Sequence, residues 1–115
     1  MLRIRNVTFM TTDPARLADF WGAALHLPER RDGEHEVLLA DTEWGYPRLT
    51  FQRLDAAKPA PGSVHLDLLA EDRVAEVQRL VALGATEVRT VDDDPSGVVW
   101  TVLLDPDGNE LCVTE

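Results

Sequence analysis

The strongest constraint on this chain is an internal repeat whose two halves are offset by 59 residues at their start and by 58 at the end of their helices. The two halves share a polar residue in the first strand, an aspartate before the helix and the dipeptide that ends the helix. In pairs, these landmarks are Asn6 and His65, Asp13 and Asp72, and Leu25-His26 and Leu83-Gly84. Self-similarity at one period indicates a supersecondary unit that occurs twice. The repeat therefore constrains the fold more firmly than any single element.

The first half has the pattern of a strand, a helix and further strands. Residues 1–9 alternate large apolar and polar side chains, which predicts a strand. Asp13 is placed to accept hydrogen bonds from free helix N–H groups, and Pro14 fits the first helical position, so a helix is predicted to begin there and to end at Leu27-Pro28. Strands are predicted over 36–40 and 47–54, after a polar turn around Asp32-Gly33.

The second half repeats this order. Strands are predicted over 64–68, 86–90, 98–104 and 109–114, and a helix begins at Glu71-Asp72. Gly84 is typical of the glycine that ends a helix. The run from Asp105 to Gly108 fits a type I turn, with proline second and glycine fourth.

The predicted fold class is therefore α+β: two βαβββ repeats that form a curved mixed β-sheet with flanking helices. We expect one domain over residues 1–115, with repeat halves at about 1–54 and 63–115. Residues 55–62 (DAAKPAPG) contain two prolines and a glycine, which is typical of a linker. The halves are expected to pair within the chain or to exchange with a second chain.

Charge and composition exclude several function classes. A formal net charge of −10 repels phosphate backbones, so no nucleic-acid partner and no anionic membrane partner are expected, whereas a cationic ligand is attracted. The longest apolar stretch, Val98–Leu104, is far shorter than the ~20 residues that a membrane helix needs. The single cysteine cannot form an internal disulfide and no signal peptide is visible, so a cytoplasmic protein is expected.

Motifs along the whole chain resemble the vicinal oxygen chelate superfamily, which includes glyoxalase I, extradiol dioxygenases, fosfomycin-resistance thiol transferases and bleomycin-resistance proteins. The matching segments are DPARLADFW (residues 13–21), PRLTFQRL (47–54), VHLDL (64–68), ALGA (82–85) and WTVLLDPDGNELCV (100–113). The DPDGN turn after an apolar strand is the most specific of them. The pattern is most similar to small, single-domain glyoxalase-like members, and the resemblance implies a homodimer.

In the metal-dependent relatives, the first and fourth strands of each half supply one metal ligand each. The resemblance places these positions at Asn6, Arg48, His65 and Cys112. Only His65 is a usual ligand there, since Arg48 is a fixed cation and a cysteine replaces the family's glutamate. We therefore expect no metal cofactor. A divalent ion at His65 and Glu110, with Asp67 on the same face as His65, is the alternative.

Several candidate residues have two interpretations. An inward Arg48 needs a carboxylate, with Glu110 or Asp67 as the predicted partner, or else a substrate carboxylate. Cys112 is predicted to be a small buried core residue rather than a nucleophile. Trp44 lies in a loop, where it is placed to line a ligand pocket or a subunit interface. The remaining predictions are that Trp21 and Trp100 are core, that His26 caps a helix C-terminus and that His35 is exposed.

Two functions fit these residues. In the first, a glyoxalase-like protein binds a small organic molecule in the cavity of the sheet and transforms it, with His65 as general base and Arg48 or Asn6 holding substrate oxygens. In the second, a metal-free protein resembling the bleomycin-resistance proteins sequesters a ligand, and Trp44 stacks on a flat cationic drug. The pocket residues predicted for either function are Asn6, Trp44, Arg48, Asp67, Glu110 and Cys112.

Overall fold

A computed structural model describes residues 6–43, 45–54 and 66–115. The chain divides into two compact units, Met1–Lys58 and Pro59–Glu115. Each unit contains a strand, a helix and three further strands, which confirms the α+β class and the repeated βαβββ order. The proposed linker, residues 55–62, lies outside the described residues.

The first unit is a four-stranded mixed sheet with one helix. Its elements are β1 (Asn6–Thr11), α1 (Pro14–Leu25), β2 (Glu29–Asp32), β3 (Glu36–Ala40) and β4 (Arg48–Arg53). The strand order is β1-β4-β3-β2, with β1 and β4 parallel and the other neighbours antiparallel. The first and last strands of the unit are thus adjacent, and β1 and β2 are the two edge strands of the sheet.

Aromatic packing closes the space between this sheet and α1. Phe9 on β1 stacks on Phe51 of β4, with ring centroids 5.3 Å apart, and also contacts Trp21 of the helix at 5.4 Å. Trp21 and Phe51 are completely buried. The prediction that Trp21 belongs to the core is therefore confirmed, and Phe9 and Phe51 identify the sheet face that the helix covers.

The second unit repeats this arrangement. Its elements are β5 (Leu66–Leu69), α2 (Arg73–Leu83), β6 (Thr86–Val91), β7 (Trp100–Leu104) and β8 (Glu110–Thr114). The order β5-β8-β7-β6 matches that of the first unit, again with one parallel pair. Arg73, at the start of α2, donates a hydrogen bond to Thr101 on β7 at 2.6 Å, which identifies the sheet face turned towards the helix.

The helix ends follow the sequence signals closely. Asp13 and Asp72 accept hydrogen bonds from the backbone N–H groups of Arg16 and Ala75, which confirms the predicted N-cap Asp13 and the predicted helix start at Glu71-Asp72. At the other ends, His26 and Gly84 occupy equivalent left-handed positions, with φ of 51° and 119°. His26 thus ends its helix through its backbone conformation.

One strand was missed and one prediction about a side chain is wrong. The hairpin turn predicted around Asp32-Gly33 connects β2 and β3, but the edge strand Glu29–Asp32 that precedes it was not predicted. All four of its residues are exposed, so no apolar alternation marks it. Trp100 was expected in the core, but it is only partly buried and lies on the sheet face away from α2. Tertiary pairing decides both features, because neither has a local signal.

Candidate functional site

A cavity of about 410 Å³ lies on the sheet of the second unit, on the face opposite α2. Every strand of the sheet contributes to it, because side chains alternate between the two faces along each strand. The lining residues are Asp67, Arg89, Val98, Trp100, Val102, Glu110, Cys112 and Thr114. Three of the predicted pocket residues, Asp67, Glu110 and Cys112, therefore lie together in one cavity.

The strand register places four of these residues in one row across the sheet. Asp67 is opposite Cys112, Cys112 is opposite Val102, and Val102 is opposite Arg89. The row begins with a carboxylate on one outer strand and ends with a guanidinium on the other. The cavity floor between them is uncharged.

Cys112 lies in the middle of this row and is 8% exposed. Burial raises the pKa of its thiol, and the negative charges of Asp67 and Glu110 raise it further. The positive charge of Arg89 lowers the pKa by a smaller amount, and a hydrogen bond with Asp67 raises it slightly. The thiol is therefore protonated at neutral pH. A protonated thiol is a weak nucleophile, which agrees with the prediction of a small buried residue rather than a catalytic one.

Sequence reasoning missed five of the eight residues that line the cavity: Val98, Val102, Thr114, Arg89 and Trp100. Trp100 was missed because a continuous apolar strand does not show which of its side chains face the helix. Arg89 was missed because its face depends on a register shift between Glu87 and Arg89. A bulge of this kind changes the face on which all later residues of the strand lie, and the sequence carries no signal for it here.

Asn6 and Arg48 lie in the first unit, where they are cross-strand partners in the parallel β1–β4 pair. The side-chain amide of Asn6 donates a hydrogen bond to the hydroxyl of Thr50 at 3.1 Å. Arg48 donates to the backbone carbonyl of Glu43 at 3.4 Å, and its guanidinium lies 4.9 Å from the ring centre of Tyr46.

One polar atom of Arg48 takes part in neither of these contacts. Its Nε is buried and has no hydrogen-bond partner among the described residues. The ion pair of Arg48 with Glu110 or Asp67 stays a prediction. Trp44 and His65 lie outside the described residues, so their predicted roles also stay predictions.

The strand pairing shows which residues of the two units are equivalent. Val7 is opposite Leu49 in the first unit, and Leu66 is opposite Leu111 in the second. With the repeat offset that relates Val7 to Leu66, the counterpart of Arg48 is Glu110. The assignment of the family's fourth metal position to Cys112 stays a prediction.

Asn6, Arg48, Glu110 and Cys112 do not form a good set of ligands for a divalent cation. Arg48 carries a permanent positive charge, and Asn6, whose amide nitrogen donates a hydrogen bond to Thr50, offers only a neutral oxygen. Because the thiol of Cys112 is protonated, Glu110 is the one good ligand among the four. Among residues 6–43, 45–54 and 66–115, no three His, Cys, Asp or Glu side chains cluster closely enough to hold a metal ion.

Two βαβββ units of this order are the architecture that the resemblance to the vicinal oxygen chelate superfamily implied. A family model described as a glyoxalase-like domain matches residues 6–114, so the chain belongs to that family. Three similar solved structures share its fold. No curated protein shows significant sequence similarity to the chain.

The first of the three structures is a glyoxalase-related enzyme from Fulvimarina pelagi, with a TM-score of 0.77, 19% identity and coverage of 99% of this chain and 88% of that one. The second is a glyoxalase/bleomycin resistance protein/dioxygenase family enzyme from Burkholderia phytofirmans PsJN, with a TM-score of 0.76, 18% identity and coverage of 95% of this chain and 94% of that one. The third is a lactoylglutathione lyase from Agrobacterium tumefaciens, with a TM-score of 0.68, 20% identity and coverage of 98% of this chain and 92% of that one. Identities this low show the fold alone.

In the described part of the chain, neither helix has the length and apolar character needed to cross a membrane.

Proposed function

We propose that this protein binds a small organic molecule in the open-face cavity of its second unit. The observation that carries the proposal is the cavity itself. Its volume of about 410 Å³ falls within the ~300–1,000 Å³ typical of small-molecule sites. Trp100 and Val102 supply an apolar surface, and a few polar groups at its edges are suited to orient a ligand.

We propose further that binding does not depend on the family's metal. A divalent ion needs several anionic or neutral donors at once, and a cation at one ligand position opposes it. Arg48 is such a cation. The protonated thiol of Cys112 is likewise a poor ligand, since metal binding needs the thiolate.

Sequestration of the ligand is the function that these features favour over catalysis. Among the described residues lining the cavity, the groups able to move a proton are two carboxylates and a thiol held in its protonated form. The enzyme interpretation assigns that task to His65. The two interpretations differ in whether the bound compound is released chemically unchanged or converted to a product.

A thermal-shift panel of organic cations, carboxylic acids and neutral aromatic compounds tests ligand binding. We expect at least one class to stabilise the wild type and to lose this effect in Thr114→Trp, which places a bulky side chain at the cavity. Thr86→Trp is the matched control, because Thr86 is exposed on β6 and does not line the cavity. Equal stabilisation of both variants, or no stabilised wild type, overturns the proposal.

Metal analysis of the purified protein tests the second part. We expect substoichiometric divalent metal and ligand-induced stabilisation that persists in a chelator. One tightly held divalent ion per chain contradicts metal independence. Chromatographic analysis of the compound after incubation separates sequestration, which returns it unchanged, from catalysis, which His65→Ala would then abolish.

Assembly as a homodimer and a cytoplasmic location stay predictions. Light scattering of the purified protein tests the first of them.

A further inference from the structure

The bulge in β6 determines which side chain of that strand enters the cavity. Thr86 is opposite Leu104 and Glu87 is opposite Leu103, so regular pairing would place Val88 opposite Val102. Instead, Val88 is unpaired and 47% exposed, and Arg89 occupies the position opposite Val102. The register shift thus puts a guanidinium on the cavity face where an unbroken strand would put an isopropyl group. Bulges beside binding sites commonly redirect a side chain in this way.

Arg89 has no hydrogen-bond or ion-pair partner among the described residues. The same holds for Glu110 in that part of the chain. Neither charge is therefore neutralised by a direct contact within the described structure. A guanidinium beside a cavity is suited to a planar carboxylate or another oxyanion, which it binds with two parallel hydrogen bonds.

The charges in the cavity are separated by sign. Asp67 lies on the outer strand β5 and Glu110 on its neighbour β8, whereas Arg89 lies on the opposite outer strand β6. Three strand spacings separate β5 from β6, which corresponds to roughly 14 Å between their backbones. The uncharged floor between these edges is formed by Cys112, which is protonated, and Val102. A ligand that satisfies both edges must span this floor.

We propose that the cavity is selective for an amphoteric small molecule, whose cationic group lies at Asp67 and Glu110, whose apolar or aromatic body lies against Trp100 and Val102, and whose anionic group pairs with Arg89. This inference rests on the proposed function and adds the chemistry and orientation of the ligand. A ligand with only one charge pairs with the charged residues on one side of the cavity and leaves those on the other side exposed to solvent.

Three probes with a common phenyl body test this inference by isothermal titration calorimetry. 4-(2-Aminoethyl)benzoate carries both charges, 2-phenylethylamine carries the cation alone, and 3-phenylpropionate carries the anion alone. We expect the amphoteric probe to bind at least about tenfold more tightly than either singly charged probe, because one charge-assisted hydrogen-bonded pair contributes roughly that much.

Arg89→Gln is expected to remove this advantage while leaving the affinity for 2-phenylethylamine unchanged or slightly increased. Asp67→Asn combined with Glu110→Gln is expected to weaken 2-phenylethylamine and to spare 3-phenylpropionate. Arg79→Gln is the matched control for the loss of one positive charge, since Arg79 pairs with Glu76 on α2 and does not line the cavity. Circular dichroism checks that each variant is folded.

Equal affinity of the amphoteric and cationic probes, or an equal loss of preference in Arg79→Gln, overturns the inference and leaves the proposed function intact. If none of the three probes binds but neutral compounds in the thermal-shift panel do, the charged ligand is also excluded and the cavity remains a binding site. Failure of the whole panel, by contrast, overturns the proposed function itself.

Discussion

Asp67 and Cys112 are partner residues across the parallel β5–β8 pair, and both side chains line the same cavity. The arrangement places the buried Cys112 thiol beside a carboxylate. Burial makes ionisation of the thiol less favourable, and the negative charge of Asp67 adds to this effect. The thiol therefore keeps its proton and forms a neutral part of the cavity floor.

This relationship predicts a loss of stability at alkaline pH. The raised thiol pKa means that, above the ordinary value of 9.0, the folded protein retains a proton that the unfolded chain has released. The free energy of unfolding should therefore be unaffected by this group below pH 9.0 and should fall as pH rises through the higher folded-state pKa. Urea unfolding across this pH range measures the effect.

Cys112→Ala supplies the control for other groups that titrate in the same range. The variant should show a shallower decline of stability with pH than the wild type. Identical pH dependence in the two proteins would show that the thiol ionises normally in the folded state.

The two tryptophans of the described chain should respond differently to truncation. Trp21 is fully buried between α1 and the sheet, so Trp21→Ala should lower the free energy of unfolding by about 3–5 kcal/mol. Trp100 lies partly exposed at the cavity, and Trp100→Ala should cost only about 1 kcal/mol while weakening ligand binding. Urea denaturation followed by circular dichroism measures both, and equal losses would contradict the assigned environments.

His26 and Gly84 occupy equivalent helix ends, and substitutions at these two positions should change the stability of the protein in opposite directions. Gly84 has a φ of 119°, where a side chain is strained, so Gly84→Ala should destabilise the protein by about 1–3 kcal/mol. The left-handed backbone conformation of His26 costs free energy that a glycine would avoid. The greater entropy of glycine in the unfolded chain offsets part of this gain. His26→Gly should therefore raise the free energy of unfolding by about 0.5 kcal/mol. A destabilised His26→Gly would contradict this account.

Asp105 should be essential for the turn before β8. Its carboxylate is almost fully buried and accepts hydrogen bonds from the backbone N–H groups of Asp107 and Asn109 and from the Asn109 side chain. Asp105→Ala should lower the free energy of unfolding by about 2–3 kcal/mol, since these donors lose a charged acceptor. Asp93→Ala, at an exposed position between β6 and β7, should change it by no more than about 0.5 kcal/mol. Thermal unfolding compares the two.

The sequence alone was sufficient for features that depend on neighbouring residues. Asp13 and Asp72 marked the helix starts because capping joins a side chain to a backbone group three residues away. The repeat of these landmarks identified the βαβββ order, since the same local signals in the same order specify the same unit. Alternation placed Glu110 on the face of Cys112 and Asp67 on the face of His65, and the family resemblance grouped these residues in one pocket.

The rest of the cavity was decided by tertiary structure. Arg89 faces the cavity only because β6 shifts register against β7, and Trp100 faces it only because α2 covers the other side of the sheet. The correspondence of Glu110 with Arg48 likewise required the pairing of parallel strands distant in sequence. Pairing register depends on the fit of whole strands against each other, so local sequence patterns specify which elements form but not which side chains meet.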